Sequence, residues 1–66
     1  MDIILNGESR PVADDCTVQQ LLDEMAITGQ RLAVEVNEEI VPKSRHEQYI
    51  FKAGDHVEIV HAIGGG

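Results

Sequence analysis

Val18, Leu21, Leu22 and Met25 stand at i, i+3, i+4 and i+7, the spacing that lays one apolar stripe along a helix. A helix this short with one apolar face is not stable alone and needs a second layer to cover it. The remaining residues must therefore supply a sheet. The start of the helix is well marked. Thr17 is placed as N-cap and Gln20 in the capping-box position, while Asp14 and Asp15 lie near the positive end of the helix dipole. Gly29 stands where a C-cap is expected.

The strands read from period-two alternation and from turn chemistry. Residues 2–6 are a short aliphatic run closed by Asn6-Gly7, a dipeptide that supplies the positive φ angles of a type I′ hairpin turn. The return arm, 8–13, contains Pro11, which cannot donate a ladder hydrogen bond, so this strand belongs at a sheet edge. Leu32, Val34 and Val36 alternate with Ala33 and Glu35, as in a strand with one buried face. Asn37-Glu38-Glu39 is a polar turn into Ile40-Val41, which Pro42 ends. Residues 43–48 read as a loop with one helical turn, Tyr49-Ile50-Phe51 as a segment folding its apolar groups back under the domain, and Lys52-Ala53-Gly54-Asp55 as a turn. In the last strand, 56–63, Val57 and Ile59 face one way, and Glu58, Val60 and Ala62 the other. Hairpin, helix, then strands in so short a chain match an α+β, β-grasp architecture: a mixed sheet with one main helix packed on one face. The last strand then lies in the middle of the sheet, parallel to the first. The expected organisation is one domain over 1–63 and a flexible glycine tail over 64–66.

Size and charge narrow the function. A 66-residue chain with a core built from Val, Ile and Leu and only two aromatics, Tyr49 and Phe51, has about 3–10 kcal/mol of stability. The lone Cys16 excludes a disulfide-built secreted scaffold. The acidic start and short apolar run give no signal peptide, so the cytoplasm is expected. A net charge of −7 disfavours nucleic acid and membrane and favours a basic protein surface as partner.

Ile63-Gly64-Gly65-Gly66 then stands out. Glycines without side chains form a thin thread that ends in a carboxylate and can enter a narrow active site. A frayed end is the other reading of the same residues. A free carboxylate is a poor electrophile and needs activation, as by adenylation. The chain holds no Gly-x-x-x-x-Gly-Lys-Ser/Thr phosphate loop, so activation falls to a partner. No catalytic set and no metal site is expected. His46, His56 and His61 read as solvated, and the last two are five apart on one strand and point to opposite faces. The pairs Asp14-Asp15, Asp23-Glu24 and Glu38-Glu39 are neighbours whose side chains diverge. Ser9 and Ser44 lack a partner base, and Cys16 reads as a small packing residue, its thiolate disfavoured by the preceding aspartates. Val60 and Ala62, with Ile4 and Ala33 nearby, form a candidate partner-binding face if they join into one patch; scattered surface hydrophobicity is the alternative.

Val36-Asn37-Glu38-Glu39-Ile40-Val41-Pro42, then Gly54-Asp55-His56-Val57-Glu58-Ile59-Val60, then the terminal glycines closely resemble the ThiS sulfur carriers of thiamin biosynthesis. The resemblance runs over nearly the whole chain. It implies the ubiquitin-like β-grasp fold and a carrier that is not itself an enzyme and binds no cofactor. A ThiF-like adenylyltransferase, using ATP and Mg²⁺, would activate the carboxylate of Gly66, with Gly65 as the other half of the family's terminal pair and Gly64 as added reach. A sulfur-delivering enzyme would convert it to a thiocarboxylate, and a ThiG-like thiazole synthase would take the sulfur. MoaD-type carriers of molybdopterin synthesis share this end chemistry, and ubiquitin-like modifiers share the fold. Their last strands often carry Phe or Pro before the two glycines in the MoaD type, where this chain has Val60-His61-Ala62-Ile63.

Overall fold

A computed structural model describes residues 1–27 and 31–61. Among the described residues are five strands, β1 (Asp2–Leu5), β2 (Glu8–Pro11), β3 (Leu32–Val36), β4 (Glu39–Val41) and β5 (His56–His61), one helix, α1 (Val18–Glu24), and a 3-10 turn at Lys43–Arg45. They form one sheet in the order β2-β1-β5-β3-β4. The last strand is central. It runs parallel to β1, with Ile4 opposite His56 and Leu5 opposite Val57, and antiparallel to β3 from Leu32–His61 to Val36–Val57. The Pro11-containing β2 lies at an edge, where its missing donor costs no ladder bond.

Alternation decides what the helix covers. Ile3, Leu5, Val34, Val36, Val57 and Ile59 point to the helix side and are buried with Val18, Leu21 and Leu22. The helix begins as its capping box dictates: the Thr17 hydroxyl accepts from the Gln20 N–H at 3.1 Å and the Gln20 side chain accepts from the Thr17 N–H at 2.9 Å. Two more of the donors that a helix start leaves unpaired find partners far along the chain. Val18 N–H donates to the Tyr49 carbonyl at 3.0 Å and Gln19 N–H to the His46 carbonyl at 2.9 Å. The Phe51 N–H in turn reaches the Cys16 carbonyl at 3.0 Å. The weakly patterned stretch 46–51 is thus fixed by backbone bonds to the helix start, and it delivers Phe51 into the core, 2% exposed, with its ring edge-on to Tyr49 at 6.2 Å.

Four expectations need correction. The helix ends earlier than Gly29, which lies outside the described residues: Met25 is the C-cap and Ala26 takes the left-handed conformation at φ 56°. The Ala26 N–H bonds to Asp23 O at 3.1 Å and the Ile27 N–H to Leu22 O at 3.0 Å, a Schellman closure with Ala where Gly is usual. Ala26→Gly should relieve that strain and raise stability by about 0.5–1 kcal/mol, read as a higher denaturant midpoint. His46 is buried rather than solvated, because the turn after Pro42 brings its Nε2 within 3.0 Å of the Val41 carbonyl. Ile50 is 52% exposed, since Tyr49 and Phe51 on either side take the inward positions. The polar turn is confined to Asn37 and Glu38, both at positive φ, and Glu39 already belongs to β4.

Candidate functional site

The strand that leads into the glycines is held along both sides. At its start, the Asp55 side chain accepts from the Lys52 N–H at 2.8 Å and from the Asn37 side chain at 3.1 Å. Asn37 in turn accepts from the His56 N–H at 3.0 Å and donates its own N–H to the His56 carbonyl at 2.7 Å. Gly54, at φ 82°, supplies the tight turn that brings Asp55 into place. Farther along, the parallel pairing with β1 runs out at Leu5–Val57, and Asn6 takes over. Its N–H donates to Val57 O at 2.8 Å and its side-chain oxygen accepts from the Ile59 N–H at 3.0 Å. The type I′ turn that holds Asn6 at φ 49° and Gly7 at φ 85° therefore also extends the support of β5. The sequence reading saw Asn6, Asn37 and Asp55 as turn residues only. Their second task depends on partners up to 53 positions away, which no local pattern displays.

Gly64, Gly65, Gly66 and Ala62 lie outside the described residues. Of the remaining partner-face residues, Ala33 and Val60 stand directly opposite each other on β3 and β5, on the face away from the helix, and Val60 is 63% exposed. Ile4 shares that face but pairs with His56, four positions before Val60 and about 13 Å along the strand. It does not join their patch. Ile40, 60% exposed on the same face and opposite Glu35, lies closer to it and was not singled out from the sequence. His56 and His61 fall on opposite faces, as their spacing requires. Among the described residues no group of three His, Cys, Asp or Glu side chains is placed to hold a metal ion, and no helix is long and apolar enough to cross a membrane.

Cys16 is packed, 1% exposed, with its Sγ 3.4 Å from the Thr17 carbonyl. Burial pushes the thiol pKa up, and Glu24 and Asp15 push it further against a smaller opposing effect of Arg10. As pH rises past the ordinary thiol range, the unfolded chain ionises first, so the stabilising effect of this buried neutral thiol is present at neutral pH and lost in alkali. Iodoacetamide should therefore label native Cys16 far more slowly than the urea-unfolded chain, as followed by intact mass.

The model of the ThiS family matches residues 3–66. The sulfur carrier protein ThiS of Escherichia coli (strain K12) is 30% identical over 66 residues, covering the whole of both chains. A thiazole synthase of Paramagnetospirillum magneticum is 46% identical over 66 residues; these are all of this chain but 20% of that protein, so the chain spans about a fifth of that relative's length. The crystal structure of a thiamine biosynthesis protein (ThiS) from Geobacter metallireducens superimposes with a TM-score of 0.82 at 29% identity, covering 100% of each chain.

Proposed function

The chain belongs to the ThiS family, and from that premise we propose that it carries sulfur on the carboxylate of Gly66. The observation that supports this reading best is the clamping of β5 between β1 and β3 in the centre of the sheet. Gly66 lies five residues beyond His61, so the terminal carboxylate can reach at most about 16–18 Å beyond a fixed point. That is enough to enter an enzyme while the folded body stays outside.

In this reading the chain is a co-substrate, not a catalyst. A ThiF-like adenylyltransferase binds ATP with Mg²⁺, a carboxylate oxygen of Gly66 attacks the α-phosphorus, and pyrophosphate leaves. A sulfur nucleophile supplied by a sulfur-delivering enzyme, or sulfide itself, attacks the acyl carbon, and AMP leaves with the electron pair. With sulfide the thiocarboxylate forms directly; with a persulfide an acyl disulfide forms first, and a second thiol attacks its S–S bond, leaving the thiocarboxylate on Gly66 and a disulfide on the sulfur-delivering enzyme. A ThiG-like thiazole synthase takes it up. The likeness to a thiazole synthase over the full length of this chain supports that last partner. The work is done in the cytoplasm, where ATP is at hand. Intact mass after incubation with an adenylyltransferase, ATP and a sulfur source tests the proposal: the expected product has gained one sulfur for one oxygen. A ladder of heavier conjugates in lysate would instead identify a protein modifier.

A further inference from the structure

The strand that leads into the tail lies between two neighbours, and one of them stops short. The antiparallel pairing of β5 with β3 continues to Leu32–His61, whereas the parallel pairing with β1 covers only Ile4–His56 and Leu5–Val57. In a regular parallel ladder, the residue that donates to one strand neighbour also accepts from the residue two places further on. Asn6, already in the turn at φ 49°, meets this pattern with two different groups. Its backbone N–H donates to Val57 O at 2.8 Å, and its side-chain oxygen, in place of a backbone carbonyl, accepts from the Ile59 N–H at 3.0 Å. Asn37 closes a rung on the β3 side in the same way, with its N–H on the His56 carbonyl at 2.7 Å and its side-chain oxygen on the His56 N–H at 3.0 Å. The two asparagines hold different ends of the strand. Asn37 holds its first residue, whereas Asn6 holds Ile59, two residues before His61 and seven before Gly66.

We infer that Asn6 is a positioning residue for sulfur loading: by fixing Ile59 on the side where β1 ends, its side-chain oxygen sets the point from which the tail starts and so where the Gly66 carboxylate lands in the activating enzyme. The inference rests on the carrier reading. Without that oxygen, β5 is held on the β1 side only as far as Val57. Pairing with β3 still keeps the strand in the sheet, so the fold survives while its outgoing end gains freedom. Each residue released lengthens the free thread by up to about 3.6 Å, whereas attack on the α-phosphorus tolerates misplacement of only about 1 Å. The loss therefore falls on the chemical step rather than on docking.

Two variants separate the turn from the bond. Asn6→Gly keeps the turn, since glycine accepts the positive φ, and deletes the acceptor. Asn6→Asp keeps both, since aspartate tolerates this conformation and retains a side-chain oxygen. Each is compared with the wild type by residue-resolved amide hydrogen exchange and by pyrophosphate release with a purified adenylyltransferase. In Asn6→Gly, exchange at Ile59 should rise about tenfold or more while the amides between β3 and β4 keep their protection. Its kcat should fall about tenfold with KM within about twofold of wild type, and Asn6→Asp should restore both readouts. Wild-type kcat in Asn6→Gly would overturn the inference and leave the carrier reading standing. So would a raised KM at unchanged kcat, which would make Asn6 an enzyme contact, or a loss of protection throughout the sheet, which would make its role one of stability alone. If the wild type itself releases no pyrophosphate, the carrier reading fails and takes this inference with it.

Discussion

A chain lacking Gly65 and Gly66 is expected to melt where the full chain melts and to acquire no sulfur at all. Among the described residues the last member of the core is Ile59, and glycines have no side chain to bury, so their removal takes no apolar side chain from it. What is lost, in the carrier reading, is the carboxylate proposed to be activated. Reach and thickness matter separately. One Ala added after Gly66 moves the carboxylate by up to about 3.6 Å, whereas productive attack tolerates only about 1 Å, so the extended chain should fold and dock but react poorly. Gly65→Val should impair activation through a different property, because a β-branched side chain stiffens and widens the thread. Intact mass after timed incubation reads all three variants. Normal sulfur uptake by the truncated chain, or sulfur found on Cys16, would refute the assignment to Gly66.

Phe51→Ala should cost about 3–5 kcal/mol, against a total of about 3–10 kcal/mol expected for a domain this small. Phe51 is among the largest fully buried side chains, and it arrives by a loop that makes backbone bonds to the start of α1. Its loss leaves a cavity that the sheet on one side and the helix on the other cannot both close. Urea unfolding of variant and wild type measures the difference, and a midpoint near the wild-type value would mean that Tyr49 or neighbouring side chains refill the space.

The parts of the molecule legible in the sequence are those specified by near neighbours. The capping box of Thr17 and Gln20, the Asn6-Gly7 turn and the alternation of Leu32–Val36 each depend on residues a few positions apart, and the structure bears them out. The central place of β5 followed from topology rather than from pattern, and it too holds. What escaped was set at long range. His46 carries no local mark of burial; a bond to Val41 and the close approach of the helix start decide it. Ala26 was passed over because Gly29 has the residue type a helix end prefers, whereas the helix closes at Met25, the last member of its stripe, and the chain turns at the next residue. Glu35 and Glu58 were both legible as outward positions, but only the register of β3 on β5 sets them face to face. The same register parts Ile4 from Val60, two residues that composition alone would have joined.

The pairing of β1 with β5 makes the first strand of the fold wait for its last. Until β5 is in place, β1 and β3 each lack a neighbour in the middle of the sheet, and Ile3 and Val34 lose part of what covers them. Such long-range closure forms late in folding. The strand that completes the sheet is also the one that presents the tail, so a half-made, nicked or misfolded chain offers no docked carboxylate to an activating enzyme. In the carrier reading the strand that completes the fold and the strand that offers the carboxylate are one, so charging with sulfur would depend on completed folding, with no separate inspector.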